Sequence, residues 1–509
     1  MLLSEVVDTS AAVAATRSRL AKVKALSALL HAATADVVVA VVSFLIGTPR
    51  QGRIGAGWRT VLDLSVPPAA HAELTIAEVD AALAEVAATS GKGSAQRRAG
   101  LLTALFARST EAEQDFLRRL LTGELRQGAL EGVMLDAIAS AADVPGETVR
   151  RAFMLSGRLP ETAVAALEGG APVLEAFRLE VGRPLRPMLA SPAESLDEAL
   201  VELGSCVVEH KLDGARIQVH RSGDEVHIYT RTLREITKTV PELVELVRGL
   251  PCASVVLDGE TLALTDEGRP RPFQETMSRF GAQDERELLL HPYFFDCLHL
   301  DGKDLLDEPL RDRLAALRQV AGEHVIPGVL DPSPEEAAAV VTASLAAGHE
   351  GVMVKSLASP YAAGRRGSAW QKVKPVHTLD LVVLGVEWGS GRRRGWLSNL
   401  HLGARDPDGG PPVMVGKTFK GLTDELLKWQ TKALQEIVTE QNDWVVMVRP
   451  ELVIEIELDG VQVSPRYPGG VALRFARVVR YRPDKDPSEA TTIEEVRALL
   501  PTAQPNPKG

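Results

Sequence analysis

The spacing of apolar residues changes twice along the 509-residue chain, and those changes divide it into three kinds of structure. From residue 1 to about 178, apolar residues recur every three or four positions in Ala- and Leu-rich sequence, the pattern of amphipathic helices. In TEAEQDFLRRLLTGELRQGALEGVMLDAIASAA (110–142), Thr110 can cap and Glu113 sits at the third helical position. Phe116, Leu117, Leu120 and Leu121 form a stripe behind them. The run VVVAVVSFLIG (37–47) is too short to span a bilayer and predicts a buried helix. From about 183 to 375, entered through GRPLRPML (182–189), short strands alternate with turns and helices. From about 377 to 482 the chain is strand-rich, with one helical stretch at 423–438. A helix among five or so short strands predicts a small Greek-key barrel of the OB type. The tail PTAQPNPKG reads as disordered.

A chain of this length holds about three domains at typical sizes. Its 45% hydrophobic and 25% charged content is that of an ordinary soluble globular protein. Cys206, Cys252 and Cys297 form no C-x-x-C pair, which argues against a zinc ribbon or disulfide framework and for a reducing cytoplasm. Glu5 and Asp8 stand where a secretory signal would be basic, and no membrane insertion is expected. The net charge of −11, taken alone, argues against a nucleic-acid partner, but its distribution points the other way. Lys355 to Lys420 carries eleven basic against four acidic residues, and residues 1–178 carry 18 against 19.

The middle region concentrates candidate chemistry. VVEHKLDGARIQVHR (207–221) runs an apolar strand into Lys211, turns on Asp213-Gly214, and resumes as a strand, so a hairpin is the simplest expectation. VVLDGE (255–260) predicts a strand that ends in a turn presenting Glu260. YFFDCLHLDG (293–302) predicts a strand with Phe294 and Phe295 on opposite faces. EGVMVK (350–355) puts Glu350 ahead of another strand, and WQKVKP (370–375) places Trp370, Lys372 and Lys374 on one face. Each alone reads as structural. VGKTF (415–419) is no P-loop, because Pro411 stands where the first glycine is needed.

Taken in order, K-x-D-G-x-R, D-G-E, the aromatic-Asp strand, E-G-V-M-V-K and W-x-K-x-K resemble the covalent nucleotidyltransferases, the superfamily of DNA ligases, RNA ligases and capping enzymes. Within it the chain looks like an ATP-dependent DNA ligase of bacterial type. GELRQGALEGVMLDAIA (123–139) resembles that family's DNA-binding domain, and RFARVVRYRPDK (474–485) its last motif, with Ala476 where proline is frequent. The resemblance implies an all-α DNA-binding domain (1–178), an α+β nucleotidyltransferase core of ATP-grasp-like type (179–376) and a C-terminal OB-fold β-barrel (377–509).

It also implies roles. Lys211 would attack the α-phosphate of ATP as the free amine, which requires a lowered pKa. Glu209 would accept a hydrogen bond from the adenine amino group, and Phe295 would stack on the base. Arg216, Arg231 and Arg366 would hold ribose and phosphate oxygens. Lys372 and Lys374 would surround the phosphate. Glu260 and Glu350 would bind Mg2+ (or Mn2+). Arg474 and Lys485 would meet the leaving pyrophosphate. The implied partner is nicked double-stranded DNA, bound by a monomer. An RNA ligase or capping enzyme would leave the helical region unexplained, and an NAD-dependent ligase would need zinc-binding cysteines. A non-catalytic DNA-binding protein on the same fold would not need the lysine, carboxylates and arginines together.

Overall fold

A computed structural model describes residues 1–500 apart from 53, 126–130, 266–269, 272–275, 277–288, 363–365, 390–392 and 443, and apart from the side chains of 58, 366 and 367. The expected disordered tail therefore lies outside the described residues, as do positions 126–130 of the DNA-binding motif.

Between Leu3 and Glu175 the described chain is helical. The helix Glu111–Leu121 starts as expected: the Thr110 side chain accepts from the Glu113 N–H, and Glu113 bonds back to the Thr110 N–H. Phe116, Leu117 and Leu120 are buried. The apolar run forms the helix Ala35–Leu45. Val38, Val41, Val42 and Phe44 are almost wholly buried, and beyond its exposed first turn the helix leaves little surface for water. It packs against the helix Leu159–Glu175, which starts with proline in its first turn.

The central region contains two five-stranded sheets. The first is built from β1 (Leu189–Pro192), β2 (Cys206–Lys211), β8 (Gly328–Leu330), β9 (Gly351–Ser356) and β10 (Arg366–Val373), in the order β1-β10-β9-β2-β8. The second is built from β3 (Ala215–Ser222), β4 (Glu225–Thr230), β5 (Ser254–Ala263), β6 (Leu290–Leu300) and β7 (Lys303–Asp304), in the order β4-β3-β5-β6-β7.

That topology corrects two local expectations. The strands flanking Asp213-Gly214 are not a hairpin: β2 pairs with β8 and β9, whereas β3 pairs with β4 and β5. The turn carries the chain from one sheet to the other. A Cβ at Gly214 would lie 2.5 Å from the Thr261 carbonyl oxygen, so only glycine fits the crossing. Nor does D-G-E end a strand. β5 continues to Ala263, and Gly259 sits where the register with β6 shifts, with no room for a Cβ beside the Tyr293 carbonyl.

Helices Pro241–Arg248 and Leu310–Ala321 cover the outer face of the second sheet. Helices Leu196–Leu203 and Pro334–Ala346 cover the first. Between the sheets lies a third cluster, including Leu212, Phe295, Leu298, Tyr361 and Trp370, and the helical region contributes Met154 and Leu155 to it. Asp296, next to Phe295, is tied to Arg313 by hydrogen bonds of 2.7 and 3.0 Å, with both side chains fully buried.

The C-terminal region is an OB-fold. Its long strand β11 (His377–Trp388) pairs on one edge with β12 (Leu397–Ala404), which pairs with β13 (Val413–Thr418). On the other edge β11 meets β15 (Val445–Val448) and β16 (Val453–Leu458) in succession. β14 (Val438–Gln441) and β19 (Arg477–Tyr481) extend those partners, and β17 (Gly460–Val463) pairs with β18 (Val471–Arg474). The expected helix is present as Asp424–Gln435. No helix among the described residues is long and apolar enough to cross a membrane.

Candidate active site

The crossing from β2 to β3 opens a cleft of about 600 Å³ between the two sheets, lined by Glu209, Lys211, Arg216, Arg231, Glu260 and Phe295 and, from β9 and β10, by Lys355, Trp370 and Lys372. The chain thus brings together candidates from seven separate stretches. Period-two alternation places Glu209 and Lys211 on the same face of β2.

Lys211 forms an ion pair with Glu350, whose backbone N–H donates to the Lys211 carbonyl at 2.9 Å. Lys374 reaches the same carboxylate at 2.7 Å and Asp459 of the OB-fold at 3.1 Å. Burial pushes the Glu350 carboxyl up, but the charges of Lys211 and Lys374 outweigh it and hold the group at about 2. Burial lowers Lys374 too, and Glu350 with Asp459 more than restores it. Lys372 is compensated less: burial and its two lysine neighbours lower its pKa by more than Asp459 and Glu350 raise it.

Burial pushes the Glu260 carboxyl up to about 7, with Asp258 and Glu350 adding to the effect and Arg216 and Lys211 opposing it. Glu260 and Glu350 are therefore two carboxylates close enough to raise each other's cost of ionisation. Such hard oxygen donors suit a small divalent cation, which takes one or two carboxylates and completes its shell with phosphate and water. Among the described residues no cluster of three or more His, Cys, Asp or Glu side chains could hold a metal by itself. That donor set fits a cation bound together with a phosphate.

Arg216 is fixed before any ligand arrives. It donates to both Asp258 oxygens at 2.9 and 2.6 Å and to the Met188 carbonyl at 2.7 Å, and its guanidinium lies 5.3 Å from the Phe295 ring centre. Burial would lower its pKa, but the Asp258 charge outweighs this and holds the group charged. Tyr361 donates its O–H to the same Asp258 at 2.6 Å. Phe295 points into the cleft and meets Trp370 edge-on at 6.0 Å, while Phe294 enters the opposite core. Arg231 stands exposed in the turn after β4.

From the OB-fold, Arg474 donates to Asp213 at 2.7 and 3.1 Å and stands 3.6 Å from Glu350. Lys485 is not brought to the cleft. It pairs with Asp380 of β11 at 2.6 Å, within the OB-fold itself. Arg366 opens β10, but its side chain lies outside the described residues.

Sequence reasoning missed three members of this site: Asp258, Tyr361 and Lys355. Lys355 had a readable signal, since β9 alternates buried Val352 and Val354 with Met353 and Lys355 facing the cleft. Tyr361 had none, because a lone tyrosine in a loop does not announce a partner 103 residues away.

Comparison with known proteins identifies the family. Three family profiles match in chain order: DNA ligase N terminus over residues 59–139, ATP dependent DNA ligase domain over 187–374, and ATP dependent DNA ligase C terminal region over 393–485. A protein of Rhodococcus jostii (strain RHA1) named as a probable DNA ligase is 68% identical over 502 residues, spanning 98% of this chain and 100% of its own. One of Saccharopolyspora erythraea with the same name is 69% identical over 499 residues, spanning 98% of each. A solved structure described as Pmar-Lig_PreS3 covers 94% of this chain and 99% of its own at 17% identity and TM-score 0.62, a likeness of fold alone.

Proposed function

The chain belongs to the ATP-dependent DNA ligase family, and on that premise we propose that it seals nicks in duplex DNA, acting as a monomer through a lysyl-AMP intermediate on Lys211. The observation that carries the assignment of residues is the position of Lys211. It ends a strand at the lip of the cleft between two sheets, with Glu350 beside it and Arg474 two residues away on Asp213.

In the first step Lys211 attacks the α-phosphorus as the free amine, a P–N bond forms, and the bond to the β-phosphate oxygen breaks to release pyrophosphate. Phe295 and Glu209 hold the adenine, and Arg216, Arg231 and Arg366 hold ribose and phosphate oxygens. Lys372, Lys374 and Arg474 face the charge that builds on the leaving group. Glu260 and Glu350 would hold a magnesium (or manganese) ion, which supplies neutralising charge at the α-phosphate. Lys485 serves the same leaving group only after it leaves Asp380, its partner within the OB-fold. AMP then passes from Lys211 to the 5′-phosphate at the nick, and the 3′-hydroxyl attacks that phosphate and displaces AMP.

The division of labour follows the texture of the chain: residues 1–178 grip DNA, 179–376 carry adenylation, and 377–509 form the mobile OB domain. Three unpaired cysteines support the cytoplasm as the place of action. The test is a duplex with one labelled nick, incubated with the full chain, ATP and magnesium. Ligated strand that depends on ATP and on Lys211 is expected; an intact nick with adenylated enzyme present would contradict nick sealing.

A further inference from the structure

Lys355 has a place in the cleft that the steps above do not use. Its side chain is 1% exposed and forms an ion pair with Glu209, itself 2% exposed. The ammonium lies 4.2 Å from the Phe295 ring centre and 4.3 Å from that of Trp370, so two aromatic faces and one carboxylate enclose it. A lysine is almost never this buried unless it is paired, and packing alone would be served by an apolar residue.

We infer that Lys355 is a positioning residue that sets the choice of nucleobase, by keeping Glu209 an acceptor-only carboxylate that favours the adenine edge over the guanine edge. The inference rests on the adenylation reading above and extends it to specificity. An ionised carboxylate has lone pairs and no proton to give. Adenine presents an amino donor at its six-position, and guanine presents a carbonyl acceptor there. Glu209 in its paired form therefore matches the first and repels the second. Burial, with nearby Asp296 adding to it, raises the Glu209 carboxyl on balance, and the Lys355 ammonium paired with it is the group that pulls it back toward the ionised form. Without the ammonium, Glu209 takes up a proton, becomes an O–H donor and loses its objection to guanine. A site that leaves a buried polar group unmatched discriminates strongly, which is why one charge can govern the choice.

The test uses the full-length enzyme with magnesium and either α-labelled ATP or α-labelled GTP, reading kcat and KM for label transfer to protein. Wild-type enzyme should take label far better from ATP. Lys355→Met keeps side-chain length and cleft packing but removes the charge. Its ATP-to-GTP ratio of kcat/KM should fall by roughly ten- to hundredfold, the scale of a hydrogen bond to a charged group, with the ATP loss mainly in KM. Lys355→Arg should restore most of the ratio. Glu209→Gln, whose amide can donate, should lose discrimination as well, and adding Lys355→Met to it should change the ratio little further. An unchanged ratio in Lys355→Met, or an equal drop in the Glu209→Gln background, overturns the inference. If Lys355→Met does not fold, Glu209→Gln decides: wild-type discrimination in that variant overturns it. Failure of the underlying adenylation reading looks different, because wild-type enzyme would then take no label from ATP.

Discussion

Arg474 of the OB-fold donates two hydrogen bonds, at 2.7 and 3.1 Å, to Asp213, two residues beyond the candidate nucleophile Lys211. With the Lys374–Asp459 contact at 3.1 Å, this ties the OB-fold closed over the cleft. The cations that would receive pyrophosphate are thus held on carboxylates, which incoming phosphate would displace.

Arg474→Ala should therefore slow enzyme adenylation by on the order of tenfold or more, the scale of a lost charge-assisted contact. Sealing of a nick supplied already adenylated should be nearly unchanged, since pyrophosphate has gone by then. Single-turnover kinetics on both substrates check this, and equal losses in the two steps would make the contact structural.

Lys485→Ala makes a sharper demand, because Lys485 now pairs with Asp380. If Lys485 leaves Asp380 for the phosphates, the variant should lose adenylation on the same scale while keeping nick affinity. Asp380→Asn, which frees Lys485, should leave the adenylation rate at or above the wild-type value. A slower Asp380→Asn would show that the pair supports the fold.

The order of motifs was legible in the sequence because most of the candidate groups sit at a strand end or on an alternating strand, where period-two spacing gives the facing. Phe294 and Phe295 parted to opposite cores as alternation predicts. The pairing of strands was not legible. Asp213-Gly214 has the local chemistry of a hairpin, and only long-range pairing of β2 with β9 and β3 with β5 makes it a bridge between sheets. Asp258 and Tyr361 escaped for the same reason: their roles come from contacts across more than forty residues. Lys485 was placed at the phosphate by its motif, whereas a carboxylate on β11 holds it here.

Glu260 gives a pH-dependent stability. Its folded carboxyl keeps its proton up to about pH 7, while the unfolded one releases it near 4.5. The folded state binds more protons in that window, so its contribution is fully present below pH 4.5 and is lost as pH rises through 7. Metal-free Glu260→Gln should therefore gain in Tm over wild type between about pH 5 and 8, with the gap widening as pH rises. A gap that is flat or narrows would contradict the protonated carboxyl. Glu260→Ala should also damage both adenylation and sealing, since the α-phosphate is attacked in each.

Removing residues 1–178 should weaken binding to nicked duplex and flatten its salt dependence, because phosphate contacts that release counterions are lost. Lysine adenylation should survive. The truncated protein should melt lower, because Met154 and Leu155 leave the cluster around Trp370, each worth about 1.5–3 kcal/mol of burial. Unchanged nick affinity would remove DNA binding from this region.

The central claim is that Lys211 forms a covalent bond to AMP, and α-labelled ATP tests it most directly. Full-length protein incubated with α-labelled ATP and magnesium should carry label through a denaturing gel, and γ-labelled ATP should leave none. The bond should be acid-labile, as a phosphoramidate is. Lys211→Arg should abolish labelling, because a guanidinium stays protonated and cannot attack. Wild-type labelling of Lys211→Arg would place the nucleophile elsewhere and contradict the account.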